Sequence, residues 1–207
     1  MDKYPELTFE FNKSTYRQII PMNSNQNEFV SDSYLNAAFP FADRVRRLCW
    51  NITWAIFCRW SPSPFHLWRI FFLRLFGAQI GDNNFIYPSC IIWAPWLLKT
   101  QNVVTIGPVV EIYNPGGLII GHHAIISQGA YICGATHDYN SKNFTYIKKE
   151  ILIEANAWIC ARAIVLPGVI CGEGSVLGAG SVTSKNLAPW TVYTGSPATK
   201  IKMRNQI

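Results

Sequence analysis

The sequence predicts a mainly β chain wound as a parallel β-helix, and three observations carry that prediction. Aliphatic residues recur every six positions from residue 80: Ile80, Ile86, Ile92 and Leu98, then Ile106 and Ile112, then Ile120, Ile126 and Ile132. After a break they continue as Ile153, Ile159 and Val165, then Cys171, then Leu177. A small residue often follows (Gly81, Gly107, Gly121, Ser127, Cys133, Cys160, Gly172, Gly178), and another sits two places before (Ala124, Ala130, Ala157, Ala163, Ser175, Ser181). Six residues make one short strand and a corner. The aliphatic residue points inward and stacks on its counterpart in the next coil, so that neighbouring coils pair as parallel strands about 4.8 Å apart. A single repeat cannot bury its own face, and stacking supplies the core. An amphipathic helix is disfavoured, because a six-residue period scatters over several helix faces.

The elements follow in order. Residues 1–42 are polar, with Pro5, Pro21 and Pro40, and read as an extended or partly disordered leader. Residues 43–78 read as a helical region. Leu48, Ile52, Ala55 and Ile56 have helical spacing, and the SPSP run ends that segment. Ser63-Pro64 is a plausible start for a second helix, which carries Leu67, Ile70, Phe71 and Leu75 on one side. Neither segment has the run of about 20 apolar residues that a membrane span requires. Nine aromatics interleave with six arginines over residues 43–76, against one acid, Asp43. That pattern suits a helical cap on the main domain, an interfacial helix on an anionic bilayer, or both. Residues 79–187 hold the coils, interrupted over 133–150, and residues 188–207 form a basic C-terminal segment.

Composition narrows the class further. The 207 residues are 49% apolar and only 14% charged, with a net charge of +6. The basic excess lies in two zones, 43–76 and 185–207, which points to two anionic neighbours. Six cysteines form no CxxC pair, and no histidine spacing fits a zinc site, so no metal is expected. Read as reduced core thiols, and with a polar N-terminus, they favour the cytoplasm, with a peripheral position at the inner face of the membrane.

The segments IEANAWICARAIVLPGVICGEGSVLGAGSV and PWTVYTGSPATKIK resemble the hexapeptide-repeat acyltransferases. SPFHLWRIFFLRLFGAQIG, IYPSCIIWAPWLL and ISQGAYICGATHDY look like the branch that O-acetylates sugars of bacterial exopolysaccharides such as colanic acid. The resemblance covers roughly residues 45–205. It implies a left-handed β-helix of about five coils, a homotrimer with active sites between subunits, and acetyl-CoA as cosubstrate. It also implies that 188–207 touches the coenzyme, and that the partners include a saccharide acceptor but no nucleic acid. Acceptors of other kinds stay open: a small free sugar, a nodulation-type oligosaccharide or an antibiotic. So does a non-catalytic trimeric scaffold. The zinc carbonic anhydrases on the same fold need three converging histidines, and the spacing of His122, His123 and His137 does not supply them.

Inside a β-helix there is no room for a working histidine, so catalysis needs an irregular excursion on a rigid scaffold. The break after Ile132 supplies one, with His137 at the root of a polar loop. By resemblance His137 is the general base. A sugar hydroxyl is a poor nucleophile, and a neutral imidazole can take its proton as the oxygen attacks the thioester. The same resemblance gives the backbone amide of Ala161 as oxyanion donor and matches Trp158, Ala161, Ala179 and Ser184 to coenzyme-contacting positions. Trp158 either packs on the pantetheine arm or is a coil-face aromatic at the trimer contact, and the three small residues either touch the coenzyme or simply form coil corners. Lys200 and Lys202 either meet the coenzyme's phosphates or form a solvated basic tail. Asn114 either orients the substrate or simply begins the turn before Pro-Gly-Gly. Asp138 either orients His137 or opens the loop.

Overall fold

The computed structural model describes residues 39–206, so nearly all of the expected leader lies outside the described residues. Its last positions are helical instead. Helix α1 spans Phe41–Thr53 and continues as a wider π-helical turn over Trp54–Cys58. Helix α2 spans His66–Leu75. It begins past the expected Ser63-Pro64, because His66 N–H bonds back to the Pro64 carbonyl in a tight turn. The residues grouped by spacing divide between the two faces: Ile70 packs inward while the others face out. Trp50, Trp54 and Cys58 pack inward from the first segment, and Arg69, Ile70, Phe72 and Leu73 from the second. Leu48, Ile52 and Ile56, like Leu67, Phe71 and Leu75, point outward and are exposed.

Five coils follow. The first holds β1 (Gln79–Ile80), β2 (Phe85–Ile86) and β3 (Ile91–Ile92). The second holds β4 (Leu98–Thr100), β5 (Thr105–Ile106) and β6 (Glu111–Tyr113). The third holds β7 (Leu118–Ile120), β8 (Ile125–Ile126) and β9 (Tyr131–Cys133). A hairpin of β10 (Ala135–His137) and β11 (Tyr146–Lys148) then leaves the stack. The fourth coil holds β12 (Ile151–Ile153), β13 (Trp158–Ile159) and β14 (Ile164–Val165), and the fifth β15 (Ile170–Cys171), β16 (Val176–Leu177) and β17 (Val182–Thr183). A partial sixth turn adds a bridge at Leu187 and strand β18 (Thr191–Gly195), and β19 (Ala198–Met203) folds back against β18.

Strands of the same rank form three parallel faces: β1-β4-β7-β12-β15, then β2-β5-β8-β13-β16-β18, then β3-β6-β9-β14-β17. The expected stacks are present. Ile86, Ile106, Ile126, Ile159 and Leu177 pair in one column, and Ile92, Ile112, Ile132, Val165 and Thr183 in another. Each such aliphatic residue, fully buried, contributes about 2 kcal/mol. The first column departs from the plain period. A short 3-10 turn at Pro95–Leu97 shifts the strand, so Leu98 pairs with Leu118 while Thr100 takes the inward place between Ile80 and Ile120. Asn84 satisfies that buried hydroxyl, donating to Thr100 Oγ1 at 2.7 Å.

The glycine after the inward residue does not make the corner. A Cβ on Gly121 would lie 2.4 Å from the Ala155 nitrogen, so the residue is small to let the next coil approach. The corners themselves turn three residues before the inward position, through left-handed backbone at Asn83, His123, Asn156 and Gly174 among others.

The first coil leaves an open edge of carbonyls, and side chains from the helices close it on all three faces. Arg74 donates to the Ile80 carbonyl at 2.7 Å, Arg69 to Ile86 at 2.6 Å, and Trp50 Nε1 to Ile92 at 2.6 Å. Two of the six arginines of this zone therefore serve the solenoid's own backbone. An open strand edge invites further pairing, and a terminal cap prevents it.

Candidate active site

The break in the period is where β10 and β11 project. The segment read as a polar loop is a two-stranded hairpin at its base, with His137 opposite Tyr146. Its bed is the turn Asn114-Pro115-Gly116-Gly117. A Cβ on Gly116 would meet the Lys149 backbone at 2.4 Å, so the returning chain crosses only where glycine stands. Asn114 lies under this turn, buried, with its amide spent on the neighbouring coil. Its Oδ1 accepts the Ala94 N–H at 3.1 Å and its Nδ2 donates to the Ala94 carbonyl at 3.0 Å.

His137 is exposed and held at one nitrogen. Its Nδ1 lies 2.9 Å from the Phe144 carbonyl. A carbonyl can only accept, so Nδ1 carries the proton and Nε2 presents a lone pair to solvent. The Phe144 ring stacks on the imidazole at 4.5 Å, and Tyr146 meets it edge-on at 5.4 Å. Tyr146 in turn shares a 2.9 Å hydroxyl contact with Tyr113. Burial first, then that contact, push the Tyr146 phenol above its ordinary range, so it stays protonated. Asp138 does not reach the imidazole. Its carboxylate accepts the Asn140 N–H at 3.0 Å and closes the hairpin turn.

The remaining sequence-predicted residues lie elsewhere on the solenoid. Trp158 sits on β13, half exposed, its Nε1 donating to Ser127 Oγ at 2.9 Å. Ala161 and Ala179 occupy successive corners between the second and third faces, joined where Gly180 N–H bonds the Ala161 carbonyl at 2.9 Å. Ser184 is exposed just past β17, and Lys200 and Lys202 are exposed on β19. The hairpin leaves from the far edge of the third face. Within one chain, His137 and the Ala161–Ala179 corners therefore stand on opposite edges of that face. Among the described residues no group of three metal-ligating side chains converges, and His122 and His123 are exposed and stacked on each other at 3.9 Å.

Sequence reasoning missed Phe144, Tyr146 and Tyr113. A weak signal was present: Tyr113 follows an inward isoleucine, a place the repeat usually gives to a small residue.

No protein-family model matches the chain. A protein of Escherichia coli named for colanic acid biosynthesis as an acetyltransferase, WcaF, is 40% identical over 158 residues, covering 76% of this chain and 86% of that one. The chain belongs to the hexapeptide-repeat acetyltransferases. The galactoside O-acetyltransferase of Lactococcus lactis is 38% identical over 132 residues, 60% of this chain and 62% of that one. The family fold is also that of a hexapeptide-repeat containing acetyltransferase from Vibrio cholerae, crystallised in complex with acetyl coenzyme A. It superposes with a TM-score of 0.69 at 21% identity, covering 80% of this chain and 88% of that one.

Proposed function

We propose that this acetyltransferase moves an acetyl group from acetyl-CoA to a sugar hydroxyl of an exopolysaccharide or lipid-linked saccharide precursor, with His137 as general base. One observation carries the chemistry: the Phe144 carbonyl fixes the proton on Nδ1, so Nε2 is the nitrogen left to accept one. The sugar oxygen attacks the thioester carbonyl while Nε2 takes its proton. The tetrahedral oxyanion needs a donor, and the Ala161 amide, which makes no hydrogen bond within the described chain, is available for it. Collapse expels the CoA thiolate, which takes the proton back from the imidazole. Trp158, Ala179, Ser184, Lys200 and Lys202 line the coenzyme's path, the lysines toward its phosphates.

The separation of His137 from the Ala161–Ala179 corners across the third face argues for a trimer, in which a neighbour's corner completes each site. The colanic acid relative and the galactoside relative both favour a saccharide acceptor. The outward apolar faces of α1 and α2 favour a membrane-proximal, lipid-linked one, met at the cytoplasmic surface of the bilayer. No helix among the described residues is long and apolar enough to cross a membrane.

The test is CoA release from acetyl-CoA with a panel of nucleotide-linked and lipid-linked sugars, methyl galactoside and maltose, beside His137→Ala. Turnover with one acceptor, reduced at least about a hundredfold in the variant, is the expected result. Undiminished turnover in the variant would remove His137 from the chemistry. No acetyl-CoA binding by the wild-type chain would leave only a scaffold.

A further inference from the structure

The catalytic hairpin has a second attachment besides its coil. One place past the inward residue of the third face, the repeat turns bulky. Trp93 stands there in the first coil and Tyr113 in the second, with Cys133 below them in the third. These aromatics form a continuous path of contacts. The Arg47 guanidinium of α1 lies over the Trp93 ring at 4.2 Å and over Phe39 at 4.5 Å. Trp93 meets Tyr113 edge to face at 5.2 Å, and the Tyr113 and Tyr146 hydroxyls are 2.9 Å apart. Phe39 closes the circuit, touching both Trp93 at 4.9 Å and Tyr146 at 5.4 Å. Tyr146 then faces His137 across the hairpin.

A hairpin of two three-residue strands is not stable by itself. One hydrogen bond on Nδ1 sets the tautomer of the imidazole but leaves its angle open to tilting. The geometry points to a brace: Arg47, Trp93, Tyr113 and Tyr146 are positioning residues that hold the His137 ring, so helix α1 helps set the aim of the proton acceptor. Among the described residues the groups facing His137 are then Phe144, Tyr146 and its own Asp138 turn, with no acidic side chain bonded to the ring. An aromatic brace suits a base that must stay neutral until it accepts a proton, because it fixes the ring without adding a charge. Displacing a catalytic group by about an ångström costs up to a hundredfold in rate, so the angle matters. This inference rests on His137 as the general base.

Tyr113→Phe removes the hydroxyl contact and keeps the ring, and Arg47→Met removes the cation. Both are made in the full chain, and the nitrogen-15 signals of the His137 imidazole, assigned by their loss in His137→Ala, are recorded beside turnover with the same panel of sugars. The wild-type ring should show one Nδ1–H tautomer, and each variant should broaden it or mix the tautomers. kcat should fall about 5–20-fold while KM for acetyl-CoA stays within about twofold. In the His137→Ala background the same changes should alter residual turnover by less than about twofold, because they act through that ring. Unchanged ring signals in both variants overturn the brace whatever turnover does, and equal losses with and without His137 overturn it as well. Failure of the functional reading looks different: His137→Ala then turns over like wild type, and the brace loses its catalytic role with it.

Discussion

At the scale of single residues, the six cysteines sort by burial. Cys49 is exposed, Cys133 is partly so, Cys160 is buried, and Cys58, Cys90 and Cys171 are fully buried. Burial pushes each of those three thiols up to about 12, and pushes Cys160 upward as well. The thiolate is the reactive form, so these residues are inert in the folded chain. Iodoacetamide at pH 8 should label Cys49 first, with Cys58, Cys90 and Cys171 taking label only in denaturant; mass spectrometry of the native protein decides it. The same shifts carry a sign for stability. A thiol raised in the fold favours folding below its ordinary value near 9, and that contribution is lost as pH climbs toward about 12. Read from sequence, Cys90, Cys160 and Cys171 were legible as core residues because they occupy positions of the repeat, whereas Cys49, also read as a core thiol, is exposed on α1, where no stacked column fixes which side faces inward. His137 was legible because the period stops beside it. Phe144 and Tyr146 were not, because their contacts depend on an antiparallel register seven and nine residues away that no repeat encodes.

Among the elements, the solenoid was legible and the packing of the helices was not. A stacked period specifies which side chains face inward, since each column must match its neighbour. A helix with apolar residues on two sides offers no such constraint. Two residues of the inner faces, Trp50 and Arg69, satisfy open carbonyls of the first coil, a requirement invisible without the coil. Arg69 shows its weight. It is fully buried and donates from Nε to the Ile86 carbonyl, with further bonds to Ser61 Oγ at 2.7 Å, the Pro62 carbonyl at 2.9 Å and the Ser63 carbonyl. Burial lowers its pKa, while any thiolate character nearby at Cys90 and Cys58 works the other way. Arg69→Met keeps the volume and orphans several acceptors. The expected loss is about 3 kcal/mol, or roughly 6–12 °C in Tm, read by thermal unfolding. A change under about 2 °C would mean that His66, which lies 3.0 Å from the same Ile86 carbonyl, caps that face by itself.

For the whole molecule, the unanswered feature is the outer surface of the helical cap. Phe41, Val45, Leu48, Ile52 and Ile56 recur at helical spacing on α1 and its π-helical turn, all exposed, and Trp60 and Leu67 are about four-fifths exposed beside them. Most basic charge of this zone is already engaged. Arg46 bonds the Phe76 carbonyl and covers Trp96, Arg47 covers Trp93, Arg69 and Arg74 cap the coil, and this leaves Arg44 and Arg59 toward the outside. An apolar stripe with tryptophan and two arginines at its rim fits the interface of an anionic bilayer, where each buried aliphatic side chain contributes about 1.5–3 kcal/mol. Binding should then depend more on the stripe than on charge. The wild-type chain should float with vesicles of three parts phosphatidylcholine to one part phosphatidylglycerol. Leu48→Ser combined with Ile52→Ser and Ile56→Ser should reduce the bound fraction at least about fivefold, whereas Arg44→Gln with Arg59→Gln should reduce it about twofold and make the remainder insensitive to salt. Substituting Arg46 or Arg47 would test the cap and the brace instead, since Arg46 bonds the Phe76 carbonyl and Arg47 covers Trp93. A wild-type chain that stays with the bulk solution at low salt excludes the bilayer. If the triple variant then also changes the sedimenting mass, the stripe is a contact between copies of this chain.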